Sequence, residues 1–308
     1  RRLSSAAIEN FLKLSPSNNL QLFKIRNNQL AFPRQPSHPR AQSLAQTLKA
    51  LLLQVPLPDA DFIISLEDAY FLDPCQKTLA PVFTFAKDLS LPNLAILMPD
   101  FEALEGNFGF RTEVLKARFK YPWKQKANRA FWRGATSGGT FSQETYLTIP
   151  RARLVFLSQK EPDLVDAKFT CLCQGAEQMA DLFQSQTAPA VCVAEHLKYK
   201  YQILIDGNSC AYSRAYWQLF SDSVILKQES SHIQWFYSLL KPSVHYIPFK
   251  NDCSDLIEKL KWAKTHDGEV KKIALKARKI AEKNLKKADT YLYLYLLLWE
   301  YSKLFETN

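Results

Sequence analysis

From about residue 40 onward, short apolar runs alternate with stretches of helical period. Brief β-branched or aromatic runs bounded by Pro, Asp, Gly or Ser predict strands. They fall at 62–66, 82–85, 94–98, 154–157, 202–205, 224–226 and 246–249. Apolar residues at helical spacing predict helices over 41–53, 176–184, 214–220, 232–240 and 254–265. The segment before residue 41 is polar, with a Pro-rich stretch at 32–39. Strand–helix alternation of this kind predicts an α/β chain with largely parallel sheets. The pattern breaks near Tyr121-Pro122-Trp123, where proline meets a basic cluster, so an interdomain connection is expected within 118–130. Asp289 reads as the N-cap of a closing helix. The alternation of Tyr291, Tyr293 and Tyr295 with leucines also fits a strand, but helix is the expectation.

Composition agrees with a folded chain. The sequence has 308 residues, is 47% hydrophobic and contains only 8 glycines, which allows two domains with real cores and argues against disorder. Net charge is +10, which favours anionic partners. The excess concentrates in 270–287, where Val270, Ile273, Ala274, Ala277, Ile280, Ala281 and Leu285 fall at the spacing of one side of an amphipathic helix. Lysines on its outer face offer peripheral contact with an anionic membrane. Nucleic acid is not an expected partner, because the basic residues alternate with Ala, Ile and Leu rather than with aromatics. Cys75, Cys171, Cys173, Cys192, Cys210 and Cys253 form no CxxC pair and no zinc spacing. Free thiols and a reducing compartment are therefore expected, with a single disulfide as the alternative. The expected location is cytoplasmic, with the basic helix as the route to a peripheral position at the inner membrane face. No signal peptide and no apolar stretch long enough to span a bilayer is visible.

Three stretches carry candidate chemistry. Phe131-Trp132-Arg133-Gly134-Ala135-Thr136-Ser137-Gly138-Gly139 places an Arg after an apolar pair and then a small, hydroxylated turn. Backbone N–H groups and hydroxyls of such a turn can approach an anion, although the terminal residues of a Walker loop are absent. A second run, 198–209, reads as a strand entering a polar turn at Asp206-Gly207, with Ser213-Arg214 opening the next helix. Strand ends and helix N-termini are where phosphates collect in open α/β sheets. For a proton acceptor, Asp68 and Asp100 each follow a buried strand, and local pattern leaves them equal; either also fits a helix cap. Asp59-Ala60-Asp61 has the DxD spacing of a metal site, yet it precedes its strand, so no metal is assigned. The histidines show no ligand spacing.

In this order, Leu57-Pro58-Asp59, Glu67-Asp68, Tyr121-Pro122-Trp123-Lys124, Phe131-Trp132-Arg133-Gly134, Pro162–Ala167, Lys198-Tyr199-Lys200-Tyr201, Ser213-Arg214 and the run from Trp235 to Pro248 resemble glycosyltransferase family 90. That family contains lipopolysaccharide-modifying enzymes, Rumi-type protein O-glucosyltransferases and capsule-associated xylosyltransferases. The resemblance spans about residues 55–306. It implies a GT-B-like α/β fold, with two Rossmann-like domains facing a cleft and a C-terminal helix crossing back to the first domain. The expected boundaries are 1–125 for the acceptor-side domain, 126–288 for the nucleotide-sugar domain and 289–308 for the returning helix.

The same resemblance implies an inverting, metal-independent transfer from a UDP-sugar, with no cofactor. It assigns Asp68 as the catalytic base, which separates it from Asp100. Arg133 and Arg214 match the family's diphosphate-contacting arginines, and Gly134, Thr136 and Ser137 fall in the donor loop. Asp206, Gly207 and Ser213 line up near the donor, and Glu229 follows a strand where the donor sugar is expected. The chain as it stands shows neither a cysteine-framed N-terminal region nor an ER-retrieval tail. The expected acceptor is therefore a lipopolysaccharide or another microbial, lipid-linked glycan, with a protein hydroxyl as the alternative. A catalytically silent binding protein of the same fold is the competing class.

Overall fold

The computed structural model describes residues 3–14, 19–68, 80–91, 95–108 and 110–305. In chain order come helix α1 (Ser5–Leu14), strands β1 (Leu20–Arg26) and β2 (Gln29–Ala31), helix α2 (Pro39–Leu52) and strand β3 (Ala60–Ser65). Strands β4 (Val82–Thr84), β5 (Ala86–Asp88) and β6 (Ala95–Leu97) lead to α3 (Phe101–Glu105) and α4 (Arg111–Lys120). Next are β7 (Ala127–Ala135), α5 (Pro150–Lys160), β8 (Val165–Cys171), the short helices α6 (Ala180–Phe183) and α7 (Val193–His196), and β9 (Tyr199–Leu204). The pass ends with α8 (Ser213–Phe220), β10 (Val224–Gln228), β11 (His232–Gln234), β12 (Ile247–Phe249), α9 (Leu256–Thr265), α10 (Asp267–Asn284) and α11 (Lys287–Ser302). Two compact units result. Unit 1 is Arg1–Asn107, Ser231–Tyr237 and Leu285–Asn308; unit 2 is Phe108–Ser230 and Ser238–Asn284.

Unit 1 carries a mixed sheet in the order β2-β1-β3-β4-β6. Its antiparallel half starts from the β1–β2 hairpin, whose turn residues Asn27 and Asn28 have φ of 48° and 59°. Asn tolerates that left-handed region, and the resulting twist suits a tight hairpin. The remaining strands, β3, β4 and β6, run parallel. Every residue of β3 is buried. Helix α11 belongs to this unit, as the resemblance implies for the final helix. It buries Thr290, Leu294, Leu298 and Tyr301 along one stripe, and the Tyr301 hydroxyl donates to the Asp61 carbonyl at 3.1 Å. Burial of a leucine side chain contributes about 1.5–3 kcal/mol, so Leu294 and Leu298 supply much of what holds α11 in place.

Unit 2 carries a fully parallel sheet in the order β12-β10-β9-β7-β8. Parallel sheets need both faces covered, and their inner strands read as continuous apolar runs; β10 is buried along its whole length. The chain leaves β7 for β8 on one side and later returns on the other side as β9. That reversal opens a crevice beyond the carboxyl ends of β7 and β9, where ligands of open α/β sheets gather.

Several expectations change. Residues 154–157 are helix, not strand: Pro150 starts α5, and its buried positions Ala152, Leu154, Val155 and Ser158 follow a helical stripe. Residues 232–240 are not a helix. β11 pairs antiparallel with β5, and a 3₁₀ turn follows at Tyr237–Leu239. Residues 176–184 split into a 3₁₀ turn and the one-turn α6. The anticipated turn at 162–167 runs into β8, and β1, β2 and β7 are strands that local pattern did not mark.

The unit boundary falls between Asn107 and Phe108 rather than within 118–130. Helix α4 is tied to unit 2, with the Arg111 guanidinium 4.8 Å from the Phe220 ring and Arg118 bonded to Glu282 at 3.0 Å. Asp289 is not the N-cap of α11. It sits at the third position, and its carboxylate accepts from the Lys286 N–H at 2.9 Å. The basic segment is α10, which buries Val270, Ile273, Ala274, Ala277 and Ala281 of the expected stripe; Ile280 is half-buried, and Leu285 is buried just past the helix end. Cys171, Cys173, Cys192, Cys210 and Cys253 are free thiols. Cys75, Leu94, Arg1, Arg2 and residues 306–308 lie outside the described residues. Among the described residues, no helix is long and apolar enough to cross a membrane.

Candidate active site

The crevice of unit 2 is built where two turns meet, the turn 136–139 that follows β7 and the turn at Asp206-Gly207 that follows β9, with α5 and α8 starting further along the chain from each. Gly207 is needed for the approach, since an added Cβ would lie 2.8 Å from both the Arg151 guanidinium and the Ser137 hydroxyl. Gly138 holds φ at +102°, and a Cβ there would meet the Gly207 carbonyl at 3.0 Å. Its N–H donates to Asn208 Oδ1 at 3.2 Å, which closes one turn onto the other. Gly134 has a different task. A Cβ at that position would run into the Trp132 indole at 2.5 Å.

Two arginines converge on this turn. Arg151, the second residue of α5, donates to the Asp206 carbonyl at 2.8 Å, the Ala135 carbonyl at 3.0 Å and the Ser137 hydroxyl at 2.7 Å. Arg214, the second residue of α8, donates to the Arg133 carbonyl. Their guanidinium carbons stand 5.6 and 5.7 Å from the Trp132 ring. Neither forms an ion pair with a described carboxylate, and Arg214 Nη1 is buried without a hydrogen-bond partner among the described residues. Burial lowers the pKa of Arg214 to about 9, with Arg151 adding repulsion. It lowers Arg151 to about 10 against the favourable pull of Asp206. Both stay charged at neutral pH, so this end of the sheet is a desolvated cationic site. Partly buried charge of this kind is costly until an anion meets it.

Arg151 is the residue that sequence pattern missed. Its signal is the Pro150-Arg151 pair at a helix start, where a cation opposes the helix dipole. Reading 154–157 as a strand hid that start.

The expected donor residues divide by role. Arg133 contributes its carbonyl to Arg214, but its own side chain turns to Asp166, with Nη1 to Oδ1 at 2.8 Å, and packs 4.2 Å from the Phe131 ring. The Thr136 hydroxyl bridges to the loop after β8: it accepts from the Cys173 N–H at 2.6 Å and donates to the Cys173 carbonyl at 2.9 Å. Asp206 accepts from Ser230 through Oδ2, and its N–H donates to Gln228 at 2.8 Å. Ser213 opens α8 and is half-buried. Glu229 follows β10 with an exposed side chain, its N–H bonded to the Phe249 carbonyl at 2.8 Å. Below the arginines, His196 lies between the rings of Phe131 and Trp217, each 4.9 Å away. Burial, then the Arg214 and Arg133 cations, pushes its pKa down to about 3, so it packs as a neutral ring.

Asp68 belongs to unit 1, just past β3. Its carboxylate is 39% exposed and accepts from Arg40 Nη2 at 2.7 Å, while Arg40 Nη1 donates to the Leu66 carbonyl at 2.7 Å. Asp100, its rival in local pattern, is a cap. It is fully buried, accepts from the Glu102 and Ala103 N–H groups of α3, and takes a further bond from Gln234 at 2.7 Å. Of the DxD pair, Asp61 is fully buried on β3 at 2.6 Å from Arg26, an ion pair without hydrogen-bond alignment. Asp59 accepts from the Asn27 N–H at the hairpin turn. Among the described residues, no three His, Cys, Asp or Glu side chains are gathered in the manner of metal ligands.

Comparison with known proteins gives this geometry a lineage. The profile of Glycosyl transferase family 90 matches residues 35–308. Protein O-glucosyltransferase 2 of Danio rerio is 30% identical over 303 residues, 95% of this chain and 57% of that protein. Protein O-glucosyltransferase 3 of Mus musculus is 34% identical over 266 residues, 84% of this chain and 50% of that protein. The chain thus spans about half the length of these curated relatives. Among solved structures, Anabaena Alr3699/HepE in complex with UDP and glucose aligns at 10% identity and a TM-score of 0.43, over 67% of this chain and 57% of that one. That last likeness is distant; the family match rests on sequence, extends over most of the chain and includes both Asp68 and the arginine-lined turn. The chain belongs to glycosyltransferase family 90.

Proposed function

We propose that unit 2 binds a UDP-sugar and that the chain transfers its sugar, with inversion and without a metal ion or cofactor, to an acceptor hydroxyl. The observation that carries the proposal is the pair of partly buried arginines, Arg151 and Arg214, without a carboxylate partner at the sheet's switch point. In the proposed step the acceptor oxygen attacks the anomeric carbon and Asp68 takes its proton. The bond from that carbon to the diphosphate oxygen breaks, and its electron pair leaves on UDP. Arg151 and Arg214 meet the developing charge, the task a divalent ion performs elsewhere. Support for omitting the metal comes from Asp61, whose carboxylate is committed to Arg26. Glu229, exposed beyond β10, is the proposed contact for the donor sugar.

A microbial glycan such as lipopolysaccharide is the first acceptor class. The names of the curated relatives favour a protein hydroxyl as the second. A cytoplasmic position, with exposed Lys271, Lys279 and Lys283 of α10 against anionic headgroups, completes the proposal. UDP release from UDP-glucose, UDP-xylose and UDP-galactose, measured with glycan and peptide acceptors, tests it. One donor is expected to turn over, and Asp68→Asn to slow it by about 10²–10⁴-fold with UDP affinity unchanged. Retained turnover in Asp68→Asn would remove Asp68 as the base.

A further inference from the structure

Unit 2 also holds a cavity of about 490 Å³ that shares no residue with the arginine-lined crevice. It lies beside the edge strand β12, with Ile247 and Pro248 on one side and helices α9 and α10 on the others. That volume is in the range of small-molecule sites.

Its wall has two parts. Trp262 of α9 lines it and keeps 36% of its surface exposed. The indole is held in place, because the His266 ring stacks on it at 4.8 Å and 17°, and His266 Nδ1 lies 2.9 Å from the Trp262 carbonyl. The second part is charged. Glu269, Lys272 and Lys276 project from one face of α10, and Glu258 and Lys259 from α9. Glu269 and Lys272 have the spacing of a helical ion pair, yet among the described residues none of these five groups is ion-paired.

A fixed aromatic plate beside unspent donors and acceptors fits a polyhydroxylated ring. The apolar C–H face of a pyranose lies against the indole, whose face is electron-rich. Carboxylates accept from sugar hydroxyls, and ammonium groups donate to them. Three lysines against two glutamates leave one net positive charge, which favours a ligand with an acidic group. The two carboxylates disfavour a nucleoside di- or triphosphate. We propose that this cavity is a second carbohydrate-binding site, for an acidic saccharide, separate from the nucleotide-sugar site.

Calorimetric titration of the whole chain with a glucuronic-acid-containing disaccharide, with UDP present throughout, tests it. Binding with a Kd below about 1 mM is expected, and the matching neutral disaccharide should bind at least about fivefold more weakly. Trp262→Ala is expected to weaken binding about tenfold or more. Lys272→Gln/Lys276→Gln is expected to erase the preference for the acidic sugar, with melting temperature and UDP affinity near wild type. The second variant stands alone if the first unfolds. No saturation, equal binding of the neutral sugar, unchanged affinity in either variant, or displacement by ATP would each overturn the assignment.

Discussion

The dipeptide Pro-Arg opens a helix twice in this chain, as Pro39-Arg40 in unit 1 and Pro150-Arg151 in unit 2. Proline suits the first helical position, but a cation in the first turn faces the positive end of the dipole at a cost of about 0.3–1 kcal/mol. Both side chains turn to oxygen acceptors, yet the acceptors differ. Arg40 holds a carbonyl and the Asp68 carboxylate, so its charge is neutralised in place. Arg151 holds two carbonyls and a hydroxyl, so its charge is left over. The first arrangement orients a carboxylate; the second keeps a cation ready for an anion. The partner, not the dipeptide, decides which.

The largest effect expected to break this comparison comes from unit 2. Arg151→Ala and Arg214→Ala should each weaken UDP binding by about 10–100-fold, the worth of a charge-assisted hydrogen bond. Calorimetric titration with UDP checks this, and wild-type affinity in both variants would reduce the arginines to scaffold. The smaller effect comes from unit 1. Arg40→Ala should lower turnover on the order of tenfold by loosening Asp68, with the Kd for UDP within about twofold of wild type. A loss of UDP affinity in Arg40→Ala would erase the distinction between the two arginines.

Sequence pattern carried further for elements than for their partners. The strands at 62–66, 82–85, 202–205 and 224–226 were legible because burial on both faces leaves an unbroken apolar run. β11 was not, since His232–Gln234 becomes a strand only by pairing with Ala86–Asp88, far away in sequence. The β1–β2 hairpin had a local signal in Asn27-Asn28, obscured by the polar background of the first forty residues. Strand-end logic put Asp206 and Gly207 just past a strand and Arg214 at the next helix start, and the structure has them there, after β9 and in the first turn of α8. Arg133 and Thr136 look alike in sequence but are spent on Asp166 and Cys173, partners supplied by β8 and the loop after it. Arg151 was lost with the misread of α5, so one wrong local assignment hid one of the two site cations.

The central claim is metal-free recognition of a UDP-sugar by the cationic end of the parallel sheet. Titration of the wild-type chain with UDP in excess EDTA, repeated with Mn²⁺, tests it most directly. Saturable binding in EDTA, with a Kd within about twofold of the Mn²⁺ value, is expected, because Arg151 and Arg214 supply the positive charge. Binding that begins only when Mn²⁺ is added would contradict it and return Asp59 and Asp61 to the site.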